Sequence, residues 1–186
     1  MLFRSNDNGV DGWHPLAGLL LDSKGNLYGT TNNGGANDLG SVYELTPGTG
    51  GLWTEKILSS FGGTYNGYYP TGSLILDEAG NLYGTTSSGG TSNTDDFGTV
   101  FELSPQANGT WTEQILHGFA ENATDGGNPT AAMLFDVNHV NLFGTTFHGG
   151  PNYSGETANT DGTIFELLPQ ASGGWEIGRA SCRERV

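Results

Sequence analysis

Few side chains in this 186-residue chain are equipped for chemistry, and several of them stand next to prolines. Trp13-His14 precedes Pro15, and Tyr68-Tyr69 precedes Pro70. Exposed rings can stack on sugars or other flat ligands. The rival reading, favoured by the large area that Trp and Tyr bury, is that these rings pack between neighbouring structural units. The matching residues further on are Gly127-Asn128 before Pro129, so a ring platform is not common to every copy. His14 and His148 are expected on one rim, where they are the best candidates for a general base. The four histidines, which include His117 and His139, show no His-x-x-x-His metal spacing. The candidate ligand-binding residues are thus Trp13, His14, Tyr68, Tyr69 and His148, with no residue assigned to catalysis or to a metal.

Carboxylates cluster on the same expected rim: Asp38, Asp95, Asp96, Asp125, Glu156 and Asp161. Such hard oxygen ligands suit Ca²⁺. The chain has no Asp-x-Asp-x-Asp-Gly loop, however, and solvation of an acidic face is the preferred reading. A Gly-x-Ser-x-Gly elbow and a P-loop are missing from the sequence, and its single cysteine, Cys182, falls in the C-terminal segment that breaks the pattern of the chain. Asn108-Gly109-Thr110, Asn122-Ala123-Thr124 and Asn152-Tyr153-Ser154 fit the glycosylation pattern, as chance allows in a chain rich in Asn, Ser and Thr.

The elements that must position these residues are repeated. Asn26-Leu27-Tyr28-Gly29-Thr30-Thr31 recurs as Asn81 to Thr86 and, with Phe143 for the tyrosine, as Asn141 to Thr146; the spacings are 55 and 60 residues. Each copy follows Pro-x-x-x-apolar-x-x-Asp, and a Gly-Gly pair, a loop of varying length and Gly-Ser/Thr-apolar-aromatic-Glu-Leu come after it. Self-similarity at such a period means repeated supersecondary units.

Four short strands are predicted per unit. The first, from Ala17, Gly72 or Ala131 to the following Asp, is apolar on both faces and reads as a strand buried on both sides. Asp22-Ser23-Lys24-Gly25-Asn26 and Asp77-Glu78-Ala79-Gly80-Asn81 are hairpin turns, with Gly supplying positive φ. The third copy, Asp136 to Asn141, lacks that Gly and is one residue longer, so its turn is expected to differ. The Gly of the second strand is expected to admit a neighbouring sheet. Glu44, Glu102 and Glu166 recur in the third strand and read as architectural. The fourth strand, from Trp53 or Trp111, alternates polar and apolar residues, as suits an outer edge.

Such units read as blades of a β-propeller. The expected fold class is all-β, a propeller-like arc of about three four-stranded antiparallel blades within a larger propeller, since three blades are too few to close a ring. Residues 1–14 end a preceding blade, with a stray strand at 2–4; the blades span 15–69, 70–128 and 129–175, the last cut short. Residues 176–186 break the pattern. They resemble the conceptual translation of a sequencing-library adapter and are expected to be non-native and disordered.

The Asp-x-x-Gly-Asn-Leu-Tyr turn resembles the inner hairpin of six-bladed lactonase-like and NHL-type propellers. The longer pattern, Pro…Leu-x-x-Asp-x-x-Gly-Asn-Leu-Tyr-Gly-Thr-Thr-x-x-Gly-Gly…Gly-Thr-Val-Phe-Glu-Leu, resembles the GloVer-type tandem repeat of choice-of-anchor bacterial surface proteins. It covers nearly the whole chain before the tail. This resemblance implies export and attachment through a sorting signal outside the sequence in hand, and it implies no established reaction.

Charge narrows the partners. The net charge is −14; without the three Arg and two Glu of residues 176–186 it is −15. An acidic surface argues against nucleic acid and anionic membranes, and no apolar run is long enough for a transmembrane segment. High acidity with little lysine fits an extracellular or cell-surface location. The preferred function is a non-catalytic segment of an exported bacterial protein, serving as scaffold or as a surface for a carbohydrate or other cell-surface ligand, with the remaining blades of the parent chain as partners. The alternative is an arc of a metal-dependent lactonase- or lyase-type propeller enzyme. An enzyme should bring unlike polar residues from different blades together, for example Asp11, Asp125 and His148.

Overall fold

The computed structural model of the chain describes residues 11–62, 66–90, 96–122, 125–150 and 162–180. Unit 1 contains β1 (Gly12–Trp13), β2 (Leu20–Leu21), β3 (Leu27–Thr31), β4 (Asn33–Gly34), β5 (Ser41–Pro47) and β6 (Trp53–Ser60). Unit 2 contains β7 (Tyr68–Pro70), β8 (Ile75–Leu76), β9 (Leu82–Ser88), β10 (Thr99–Pro105) and β11 (Trp111–Gly118). Unit 3 contains β12 (Gly126–Gly127), β13 (Leu134–Phe135), β14 (Leu142–Thr146), β15 (His148–Gly149), β16 (Thr163–Pro169) and β17 (Trp175–Ala180). Each main sheet is an antiparallel meander, β2-β3-β5-β6 in unit 1 and β13-β14-β16-β17 in unit 3; in unit 2, β7 and β8 both pair with β9, ahead of β10 and β11. Among the described residues the fold is all-β, a propeller-like arc in which none of the sheets closes on itself.

Adjacent units pack through one repeated set of positions. Tyr28, Val42, Leu58 and Phe61 of unit 1 meet Leu74, Leu82, Phe101 and Leu103 of unit 2. Their counterparts Tyr83, Val100, Leu116 and Phe119 meet Met133, Leu142, Phe165 and Leu167 of unit 3. Most of these side chains are fully buried, and each is worth about 1.5–3 kcal/mol of apolar transfer. The core therefore lies between sheets rather than within one.

Three expectations are corrected and one is refined. The first strand, expected from Ala17, Gly72 or Ala131 to the following Asp, is reduced to the two-residue strands β2, β8 and β13 on the near end of β3, β9 and β14, while the short strands ahead of it pair further along: β7 with the far end of β9, β1 with β4 and β12 with β15. Between them the backbone turns to the neighbouring unit, as where the Gly18 N–H donates to Ser73 Oγ at 2.9 Å. Nor is this strand buried throughout, since Leu21 and Leu134 are 64% and 60% exposed.

Second, the strand glycine makes room for a ring of its own sheet. Gly84 lies opposite Phe101, and a Cβ on Gly84 would stand 2.5 Å from Phe101 Cζ. Gly29 with Tyr43 and Gly144 with Phe165 repeat the arrangement.

Third, the turn of unit 3 differs by its extra residue, as expected, with Asp136 N–H closing on the Asn141 carbonyl one residue later than in the others, yet it opens in the same way. His139 takes the place of Gly25 and Gly80 with φ 57°, its N–H donates to the Asp136 carbonyl, and its ring stacks on Phe135. The extra residue, Val140, is accommodated after it, with its N–H donating to Asp136 Oδ1.

Fourth, unit 3 is not cut at Trp175. Residues 175–180 pair with β16 from Pro169↔Trp175 to Ile164↔Ala180. Trp175 occupies the place of Trp53 and Trp111 opposite the strand-ending proline, and the backbone ladder of β16 asks only for extended chain. Residues 2–4 and 181–186 lie outside the described residues.

Candidate functional site

The rim is shaped by a glycine and two hydroxyls in each unit. Thr31 and Ser41, Thr86 and Thr99, and Thr146 and Thr163 form hydroxyl pairs at 2.8, 2.8 and 2.7 Å. Gly12, Gly67 and Gly126 lie directly over these pairs, and a Cβ there would collide with the threonine side chains. This is the physical reason for the recurring Asp/Asn-Gly before each Pro-containing stretch.

Two residues further on, His14, Tyr69 and Asn128 adopt φ of 58°, 58° and 55°. A left-handed backbone is uncommon outside glycine, and holding one costs about 1–3 kcal/mol. Hydrogen bonds between units hold it: Tyr69 N–H donates to the Leu39 carbonyl at 3.0 Å and Asn128 N–H to that of Phe97 at 2.6 Å. The same residues accept from their own unit, His14 O from Asn32 N–H, Tyr69 O from Ser87 Oγ and Asn128 O from Phe147 N–H.

This geometry brings ring pairs together at the rim. Trp13 and His14 have centroids 4.3 Å apart, and Tyr68 and Tyr69 lie edge-to-face at 5.0 Å. His14 is exposed; the other three rings are part-exposed. Each pair is fastened to a loop carboxylate. Trp13 Nε1–H donates to Asp38 Oδ1 at 3.0 Å, and that oxygen also accepts from Gly34 N–H. Tyr68 Oη donates to Asp96 at 2.6 and 2.7 Å, and Gly89 N–H donates to the same carboxylate. The hydrogen bond to Asp96, with burial and the carboxylate charge behind it, pushes the Tyr68 hydroxyl up to about 12. His14 Nδ1 lies 3.3 Å from Asn33 Oδ1.

The other candidates are placed differently. His148, in unit 3, packs edge-on against Phe147, and its Nδ1 is buried without a hydrogen-bond partner. Asp125 is taken up by His117 Nε2 at 3.1 Å and by the N–H groups of Ala120 and Gly126. The rim acids Asp38 and Asp96 are likewise engaged, whereas Asp95, Glu156 and Asp161 lie outside the described residues. Among the described residues no group of three or more His, Cys, Asp or Glu is placed to hold a metal ion.

The His117–Asp125 pair and the two ring–carboxylate clasps were not anticipated from sequence. The clasps do leave a signal: aromatic-x-Pro accompanies Asp-apolar-Gly in units 1 and 2 (Trp13 with Asp38, Tyr68 with Asp96), and unit 3 lacks both, with Gly127 and Thr160.

Side-by-side four-stranded units, a core between sheets and loops gathered on one rim define a propeller-like tandem-repeat protein. Residues 1–179 match the Gloeobacter/Verrucomicrobia repeat, and the chain belongs to that family. No curated protein matches the sequence.

Proposed function

We propose that this chain is a non-catalytic repeat scaffold that presents its rim to carbohydrate. The observation that carries the reading is the pair of aromatic couples, Trp13-His14 and Tyr68-Tyr69, at equivalent places in adjacent units, each held by a carboxylate. Part-exposed rings offer faces for sugar C–H groups, while Asn33, Asp38 and Asp96 bring polar atoms beside them for hydroxyls. The glycine of unit 3 limits the platform to the first two units. Export and attachment at the cell surface accord with the acidic, lysine-poor composition. The reading needs no cofactor.

The test is calorimetric titration of the full chain with soluble glucans, mannans and pectic fragments. Binding of one class that is lost in Trp13→Ala and Tyr69→Ala, with melting temperatures near wild type, is the expected result. Equal binding by wild type and both variants, or no binding to any class, counts against it.

A further inference from the structure

The two ring couples form one row that crosses the boundary between units 1 and 2. Asp38, which accepts from Trp13 Nε1–H, is followed directly by Leu39, whose carbonyl accepts from Tyr69 N–H at 3.0 Å. Tyr69 lies edge-to-face with Tyr68, and Tyr68 Oη ends on Asp96. The row therefore runs Trp13, Asp38, Tyr69, Tyr68, Asp96. Both units fix it: Leu39 and Tyr68 pack against the core between them, and Pro70 sits so close to Gly40 that a Cβ on that glycine would stand 2.6 Å from the proline Cδ. At the next boundary Asp96 and Phe97 stand where Asp38 and Leu39 do, and the Phe97 carbonyl accepts from Asn128 N–H. Gly127 and Asn128 bring no ring there, so the row ends at Asp96.

Charge sets this row apart from a plain sugar platform. The donors to its two carboxylates are neutral: the Trp13 and Gly34 N–H groups for Asp38, the Tyr68 hydroxyl and Gly89 N–H for Asp96. Among the described residues the one ion pair is His117–Asp125, so no cation balances either charge. Both carboxylates are exposed. The two bonds to Asp38 fall on Oδ1, and its Oδ2 has no partner among the described residues. The described lysines are elsewhere, Lys24 in the turn between β2 and β3 and Lys56 on β6 with its Nζ on the Gly109 carbonyl. An acidic sugar would meet this field, and a net charge of −14, as repulsion.

We propose that the carbohydrate taken by this row is an amino sugar with a free amine, its ammonium on Asp38 Oδ2 and its C–H face on Tyr69 and Tyr68. The inference rests on the carbohydrate reading above and adds the charge of the ligand. A cation beside an aromatic face is attracted by the negative face of the ring, and its hydrogen bond to a carboxylate is of the strong, charge-assisted kind. One ammonium uses the open oxygen and leaves the Trp13 and Gly34 bonds in place. Ca²⁺ asks for about six to eight oxygen ligands and would strip them.

Calorimetric titration of the full chain with short oligomers of glucosamine, N-acetylglucosamine and glucose, equal in length and linkage, isolates the amine. It is run at mildly acidic pH, where the amine is protonated. The glucosamine oligomer is expected to bind about tenfold more tightly than the other two, and salt weakens that gain by screening. Asp38→Asn brings glucosamine down to the level of its acetylated form, and Tyr69→Ala weakens all three. Glu78→Gln, at an exposed carboxylate in the turn between β8 and β9, removes the same charge elsewhere and keeps the gain. Asp38→Asn should melt near the wild type, since an amide oxygen still accepts both N–H bonds; if it melts early, the same comparison in Asp96→Asn decides. Equal binding of the three oligomers, lost in Tyr69→Ala, overturns the amine and leaves the carbohydrate reading standing. A gain that survives the carboxylate variant, or that Glu78→Gln abolishes, also overturns it. No binding of any oligomer overturns both.

Discussion

Phe61 of unit 1 meets Phe101 of unit 2 edge-to-face, with ring centroids 5.1 Å apart and planes at 65°. Phe119 and Phe165 repeat the contact one unit later, at 5.2 Å and 62°. All four rings are almost wholly buried. Truncating Phe61 or Phe101 to Ala should cost about 3–5 kcal/mol each, through lost transfer and the cavity left behind. The double variant should fall short of the sum by about 0.5–1.5 kcal/mol, the part owed to ring–ring geometry. Urea unfolding of the four proteins checks this.

Phe101 also lies across Gly84, its cross-strand partner. Gly84→Ala adds a single methyl, yet that methyl meets the Phe101 ring and Leu74 Cδ2 at 2.9 Å or less. The expected loss is about 1–3 kcal/mol from overpacking. Gly109→Ala is the control for the glycine-to-alanine change: it has open space around its Cβ position but φ of 81°, so its cost reports backbone strain alone. Thermal melting of both variants separates the two causes.

The clasp between Tyr68 and Asp96 is mainly a matter of one hydroxyl. Tyr68→Phe keeps the ring and removes the donor, and should lower stability by about 0.5–1.5 kcal/mol. It should also remove a late-titrating hydroxyl from the ultraviolet pH titration, since the hydrogen bond to Asp96 holds that of Tyr68 at about 12.

Stability should fall as pH rises from mildly acidic to neutral. Burial pushes the Glu55 carboxyl up from 4.5 to about 7, and the charge of Asp11 and a hydrogen bond with it add to the shift. Between those two values the folded chain holds a proton that the unfolded chain has lost, so this contribution is complete below 4.5 and is lost as pH climbs toward 7. Burial raises Glu113 in the same direction, against the Ser59 hydrogen bond. Asp22 acts oppositely: burial pushes it up, but hydrogen bonds from Asn26, Lys24 and Tyr28 outweigh that and set it below 3.8. Its contribution is present above 3.8 and is lost as pH falls further. The melting temperature should therefore peak on the acidic side of neutral, and Glu55→Gln should flatten the slope between 4.5 and 7.

The units were legible in the sequence because the same contacts are made more than once. Asn-Leu-Tyr-Gly-Thr-Thr recurs because its Leu is core wherever a unit precedes it (Leu82, Leu142), its Gly seats a ring and its second Thr pairs with a hydroxyl. What was not legible depends on non-local partners. Which face of the innermost strand is buried is decided by whether another unit covers it, so Leu21 and Leu76 differ although their sequence contexts agree. The left-handed backbone at Tyr69 is set by the Leu39 carbonyl of the preceding unit, and no pattern around Tyr69 encodes that acceptor. The strand at 175–180 follows from the open ladder of β16 more than from its own residues.

Calcium should leave the described rim unchanged. Asp38 and Asp96 already accept from backbone N–H groups and from a ring donor, so occupying them with a cation would break the clasps. Addition of millimolar Ca²⁺ is expected to leave the melting temperature where it was, and a rise would call for ligands beyond those two.

The central claim is that equivalent four-stranded units lie side by side, joined by the same residues at each boundary. Nuclear Overhauser spectroscopy on protein labelled at phenylalanine measures it most directly. Cross-peaks between the Phe61 and Phe101 rings and between the Phe119 and Phe165 rings are predicted. Rings of Phe61 and Phe119 that show contacts only to residues of their own units would contradict the account.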